Sequence, residues 1–210
     1  MTPGLDVVII LRDLSDLPLL DRSLFTILAQ PLDVPLHVHL MLPRFSVEDL
    51  RQTRRMTDKL RKLAPTATLC LHNWTAPGPL DLSLPLLNWS MEVSGGRYLS
   101  VLQVGDLLSA GGLQTLLDRL HQDEAALAEA SLAHQTVAWW GDTVLPLTPA
   151  AETGHARCFM IDRSRVQLRD LVFTSDRGDE TAAFLAAIGA GYRTLRLPRE
   201  APIGLRQRPQ

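Results

Sequence analysis

Residues 88–108 read NWSMEVSGGRYLSVLQVGDLL, and the order of properties along them decides the fold. A helix-like stretch stops at Gly95-Gly96, an apolar run follows from Tyr98 to Val104, and after Gly105 comes an acid, Asp106. Glycine ends a helix without the steric penalty of a Cβ. The apolar run is too short for a buried helix and suits an interior strand. An acid at the C-terminal lip of such a strand stands where open α/β sheets bind their ligands.

The flanking sequence extends the same alternation. Asp6 to Leu11 (DVVIIL) is a continuous apolar run, the pattern of a parallel strand covered on both faces. Residues 18–30 (PLLDRSLFTILAQ) place Leu20, Leu24, Ile27 and Leu28 on one helical stripe, with Pro18 in the first turn. Residues 36–42 (LHVHLML) predict a second strand, and Ser46 caps a charged helix that Pro65 stops. Residues 66–71 (TATLCL) predict a third strand, and 72–83 read as a Pro/Gly-rich loop. Beyond Asp106, a helix stripe runs through Leu113, Leu116, Leu117 and Leu120. Strand-like runs follow at 133–140 (AHQTVAWW) and 158–162 (CFMID), then a helix at 179–191 and a strand at TLRLP. The expected architecture is α/β: one domain over 1–203 with a mostly parallel central sheet and helices on both faces. Residues 204–210 carry no periodic pattern and read as a tail, the edge of a longer protein.

Composition excludes several classes. With 210 residues, 46% of them hydrophobic, the chain builds one sizeable core. A formal net charge of −2 gives no electrostatic reason to expect nucleic acid as a partner. The basic run Arg51–Lys62 is preceded by Glu48 and Asp49 and interrupted by Asp58, which reads as a solvated helix face. Two cysteines, Cys70 and Cys158, show no Cys-X-X-Cys spacing, so a disulfide scaffold or a zinc knuckle is not expected. No window approaches the length of a transmembrane span, and no basic leader precedes the first apolar run. A cytoplasmic location is the expectation.

The quoted stretch resembles a segment of inverting family 2 glycosyltransferases, in which an Asn, a Gly about eight residues later and an apolar strand lead into a metal-binding Asp-X-Asp. Here the order is Asn88, Gly96, YLSVL, then Gln103-Val104-Gly105-Asp106. The resemblance extends along the chain. The first helix ends Thr26-Ile27-Leu28-Ala29-Gln30, close to the family's Ser-Ile-Leu-Ala-Gln, and Asp179-Glu180 precedes Gly191-Tyr192-Arg193 as the family's Glu-Asp pair precedes Gly-Tyr-Arg. It implies a GT-A fold, a nucleotide-sugar donor and a glycan or other hydroxyl acceptor. It also implies donor contacts at Asn88, Gln103 and Asp106, a divalent Mg or Mn on Asp106, and a catalytic base at Asp179 or Glu180. Three departures accompany it. Arg12, Leu14 and Ser15 stand where the family has its Pro, Tyr and Asn, Leu42-Pro43 replaces the Asp-Asp of the nucleotide pocket, and Gln103 and Gly105 replace two acids of the metal motif.

Transfer from a nucleotide sugar needs the leaving diphosphate neutralised and the acceptor hydroxyl deprotonated, so two separated acid sites are required. A carboxylate at a helix start stays ionised beside the dipole, which suits Asp179-Glu180 to the base. Each of these residues also has an ordinary structural reading. Asp106 suits the N-cap of a helix starting near Leu107, Asp179-Glu180 suits a plain helix start, and Asn88 a helix or turn. Trp139-Trp140 suits either strand packing or stacking on an acceptor sugar. His37, His39, Cys70 and His72 fall on one face of two predicted strands and would converge on zinc if those strands were neighbours, but their spacings are not those of zinc fingers. The alternative function is a catalytically inactive module of the same fold, working with a protein partner or an additional domain.

Overall fold

The computed structural model describes residues 2–62, 64–76, 83–140, 143–146, 155–174, 180–198 and 202–209. The strands are β1 (Thr2–Ile10), β2 (Leu36–Pro43), β3 (Thr68–Trp74), β4 (Gly96–Gln103), β5 (Asp106–Leu108), β6 (Leu127–Trp140), β7 (Thr143–Pro146), β8 (His155–Asp162), β9 (Thr194–Arg196) and β10 (Gly204–Pro209). The helices are α1 (Leu17–Leu28), α2 (Val47–Arg61), α3 (Ser83–Val93), α4 (Gly112–Gln122) and α5 (Glu180–Gly191). One sheet joins the strands in the order β3-β2-β1-β4-β8-β6-β10-β5, with β7 and β9 paired to β6. The half from β3 to β4 is parallel; β8 then runs antiparallel to both β4 and β6.

The unbroken apolar runs of β1 and β2 follow from burial on both faces. Leu5, Val7, Ile9 and Leu11 meet Leu20, Leu24 and Ile27 of α1, together with Leu60 of α2 and Leu116 of α4. Val8 and Met41 face the other way, toward Leu86 and Leu87 of α3 and Phe184 and Ile188 of α5. Burying each such side chain stabilises the fold by roughly 1.5–3 kcal/mol. α2 begins at a reciprocal capping box, with Ser46 Oγ accepting from Asp49 N and Asp49 accepting from Ser46 N. Among the described residues no helix is long and apolar enough to cross a membrane.

Four local readings of the sequence need correction. β3 runs on to Trp74 instead of ending before His72, because β2 and β3 pair in register from His37–Thr68 to Pro43–Trp74. The helix stops slightly earlier than Gly95-Gly96, at Val93, so Gly96 is no part of its end. It opens β4, where a Cβ would press on the Asp6 carboxylate at 2.9 Å. Asp106 does not cap a helix: it opens the short strand β5, and α4 begins later, at Gly112, with Gly111 as its N-cap at φ of 77°. Residues 204–209 form β10, inserted between β6 and β5.

Gly105 makes that insertion sterically possible. Its φ is 94°, and a Cβ there would collide with the Gln207 carbonyl of β10. Gly105→Ala is expected to cost more than about 1 kcal/mol, from the strained φ together with the clash. Gly95→Ala, which meets nothing within 4 Å, is expected to be close to neutral. Urea midpoints of the two variants measure the contrast, and equal midpoints would contradict the close approach of β10.

Candidate functional site

Strand connections leave β1 toward β2 and β3 on one side and return to β4 on the other, so the strand order reverses between β1 and β4. In an open α/β sheet a ligand crevice forms at such a reversal, outside the C-terminal ends of the strands. At that end of β1, Arg12 and Ser15 are exposed and Leu14 is half-buried; at that end of β4, Gln103 is exposed. Asp13 caps the short 3-10 turn 14–16 by accepting from Ser15 N at 2.7 Å. At the end of β2, Leu42 is fully buried in the core and Pro43 is half-buried, so this wall is apolar.

The segment after β4 is held from below by α1. Ser23 and Thr26 within α1 and Gln30 just after it recur at helical spacing on one face. Ser23 Oγ accepts from Gly105 N at 2.9 Å, Thr26 Oγ1 accepts from Leu108 N at 3.1 Å, and Gln30 takes the Leu113 N–H while donating to Ser109 O. The Thr-Ile-Leu-Ala-Gln phrase therefore has a mechanical role here: its two polar ends fix the backbone that carries Asp106.

Asp106 itself is fully buried. Arg206 of β10 lies opposite it in register and grips it as a fork, Nε donating to Oδ1 and Nη2 to Oδ2, the latter at 2.8 Å. Oδ2 also accepts from Gln103 N at 2.8 Å. A divalent cation requires several oxygen ligands that face it, mainly charged ones. Here the Asp106 carboxylate is spent on a guanidinium, and Gln103, exposed at the end of β4, carries a neutral amide. These residues, as placed, do not fit Mg or Mn. Among the described residues no group of three His, Cys, Asp or Glu side chains is arranged to hold a metal ion.

Asn88 lies in α3 and brackets the chain at Phe173: its Nδ2 donates to Phe173 O at 3.0 Å and its Oδ1 accepts from Phe173 N at 2.8 Å. The same amide thus ties the helix to a segment 85 residues later and has both ends engaged. Of the three residues expected to face a donor, only Gln103 presents an exposed side chain. Glu180 opens α5, whose Phe184 stacks on Phe173 at 4.1 Å between centroids. Asp179 and the side chain of Glu180 lie outside the described residues, as do the side chains of Trp139 and Trp140.

The histidines flagged by spacing do converge. Asp6, buried on β1, accepts from Gly96 N at 2.6 Å; His37 Nδ1 is 3.1 Å and His39 Nε2 3.4 Å from its Oδ1. His39 Nδ1 lies 3.1 Å from His72 Nε2, and the two rings stack at 5.3 Å, with Trp89 edge-on to His72. Burial alone would raise the Asp6 carboxyl, but the bonds from His39 and Gly96, with the His39 charge and His37, hold it below its ordinary range. Burial, with His39 beside it, lowers His72. The result is an internal polar network beneath α3. Burial, aided by nearby Asp106, pushes the Cys158 thiol up to about 12, so that sulfur is a core residue, not a nucleophile.

No protein-family profile matches the sequence, and no curated protein does. Solved structures match over nearly the whole chain. A mannosyltransferase from Pyrobaculum calidifontis, in complex with GDP-Man and Mn2+, superposes with a TM-score of 0.64 at 15% identity, covering 94% of this chain. S. aureus TarS superposes with a TM-score of 0.66 at 13% identity over 97% of it, and TarS in complex with UDP-GlcNAc at 0.64 and 13% over 99%. The fold is GT-A. The chain spans only 55%, 60% and 58% of the lengths of these three neighbours. The likeness is one of a curled central α/β sheet flanked by helices. At such identity the likeness establishes the GT-A architecture alone.

Proposed function

We propose that this chain is a nucleotide-sugar-dependent glycosyltransferase domain with an altered donor site, acting in the cytoplasm on a glycan or other hydroxyl acceptor. The observation that carries the reading is topological: exposed Arg12, Ser15 and Gln103 gather at the C-terminal ends of β1 and β4, where the strand order reverses. Asp179 or Glu180, at the head of α5, serves as the base that takes the acceptor proton. Gln103 faces the donor, while Asp106 and Asn88 position the backbone around it. The two cysteines are unpaired, in keeping with a reducing compartment.

Thermal unfolding with a panel of UDP, GDP and dTDP sugars tests the reading. A true donor is expected to stabilise the chain saturably, by about 2.7 kcal/mol at a hundredfold excess over its Kd. Glu180→Gln combined with Asp179→Asn is expected to abolish transfer while leaving that stabilisation in place. A chain indifferent to every nucleotide sugar contradicts the reading.

Two observations favour a second reading, a non-catalytic GT-A module that works with a partner or a further domain. The polar groups of Asp106 and Asn88 are consumed by internal bonds, and Leu42 fills the core where a nucleotide edge would be polar. Under that reading, the same pair of acid substitutions leaves the biological phenotype intact.

A further inference from the structure

We infer that Arg206 is the resident cation of Asp106, so that the donor crevice of this chain works without a divalent metal. The inference deepens the nucleotide-sugar reading above and rests on it only for the identity of the donor. Two oxygens of one fully buried carboxylate receive two nitrogens of one guanidinium, a planar match that a point ion does not improve on. Oδ2 is further occupied by the Gln103 N–H. For an ion to reach Asp106, the guanidinium would have to leave, and it is itself only 8% exposed. An expelled but still buried guanidinium beside an arriving dication would be a like-charge contact in a poorly solvated place.

The backbone holds Arg206 where it is. β10 is hydrogen-bonded on both sides, parallel to β6 from Leu205–Ala133 to Pro209–Val137 and antiparallel to β5 at Arg206–Asp106. Gln207 N donates to Gly105 O at 2.8 Å, Ser109 N to Ile203 O at 2.8 Å, and Ile203 N to Ser131 O at 3.0 Å. Three glycines admit this strand: a Cβ on Gly105 would collide with the Gln207 carbonyl, one on Gly204 with the Leu107 carbonyl, and one on Gly112 would come within 2.9 Å of the Ile203 carbonyl. The Cα of Arg206 is therefore fixed opposite Asp106, and turning the side chain away would give up both bonds to a fully buried carboxylate. The pair brings no net charge to the crevice, so a diphosphate there is met by hydrogen-bond donors and lip side chains.

Two measurements on the full chain separate this inference from the functional reading. The first is electron paramagnetic resonance of Mn2+ alone, mixed with excess protein. The free-ion signal is expected to be undiminished. The second is thermal unfolding with the nucleotide-sugar panel, once in EDTA and once in Mn2+, with the same midpoint shift expected in both. A Mn2+ signal that falls with the native chain and returns with Asp106→Leu/Arg206→Met overturns the inference. The double substitution is the control because it removes the ligand without stranding a charge, and Mn2+ binding that survives it lies elsewhere and upholds the inference. Nucleotide stabilisation seen only in Mn2+ overturns the inference and leaves the glycosyltransferase reading standing. An undiminished Mn2+ signal with no nucleotide response in either buffer upholds the inference and overturns the reading.

Discussion

Arg206→Met is expected to destabilise the chain by about 3–5 kcal/mol, the cost of leaving a buried carboxylate without its counter-charge. Asp106 has no solvent exposure to fall back on, and its remaining partner is the Gln103 N–H. Against a typical folding free energy of about 5–15 kcal/mol, such a loss removes a large share of the margin. Asp106→Leu alone is expected to cost a similar amount, because it strands the guanidinium instead. The double substitution Asp106→Leu/Arg206→Met is expected to recover most of both losses, since a buried ion pair replaced by apolar groups of similar volume is often neutral or stabilising. Urea denaturation at neutral pH, analysed as a double-mutant cycle, gives the coupling directly. Arg206→Lys is the informative intermediate: it keeps the charge and loses the fork, so it is expected to fall between the native chain and Arg206→Met. Single-variant losses below about 1 kcal/mol would show that the pair is solvated, and the crevice would then have room for a metal after all.

The strength of that pair also explains what the sequence hid. β1, β2 and β4 were legible because burial on both faces forces an unbroken apolar run, and α2 because Ser46 and Asp49 form a local cap. β10 was not legible. Its interior residues include Arg206 and Gln207, whose burial is compensated by partners far away in sequence, Asp106 and Gln135, so no local alternation marks it as a strand. Asp106 misled for the related reason that an acid after an apolar run also suits a helix cap; its true partner lies 100 residues downstream. Asn88 shows the same pattern, its amide serving Phe173. The resemblance at Thr26 and Gln30 pointed to the right place, but their task of holding the Gly105–Leu113 backbone depends on packing that no periodicity records. Local chemistry was readable wherever a residue's partner is a neighbour in sequence, and across the sheet only where alternation on two strands marked it, as for His39 and His72.

The Asp6–histidine network makes acid the second large lever on this protein. Asp6 is 1% exposed, and Asp6→Asn is expected to cost about 1–3 kcal/mol, because an amide cannot accept from Gly96 N, His37 and His39 with the same charge and geometry. The pH dependence follows from the directions of the shifts. His72 is held below its ordinary 6.5, so its neutral form belongs to the fold. Its contribution is full above pH 6.5 and is lost as pH falls below that value toward the lowered folded one, where the unfolded chain binds a proton that the fold resists. Asp6 is held below its ordinary 3.8, so its contribution is present above that value and lost as pH falls through the still lower folded one. Stability is therefore expected to decline in two stages on acidification, first below pH 6.5 and again below 3.8. The first slope stays under the limit of about 1.4 kcal/mol per pH unit that one whole proton sets. The surrounding groups are Asp6 on β1, His37 and His39 on β2, Cys70 and His72 on β3, the Trp89 edge on α3, and Arg163, whose charge Asp6 also feels. His72→Gln removes the first titration without touching Asp6, and is expected to flatten the profile between pH 7.5 and 5 while leaving the drop below 3.8. Urea midpoints across that range decide the matter: a native profile already flat there, or a slope that survives His72→Gln, would remove His72 from the account.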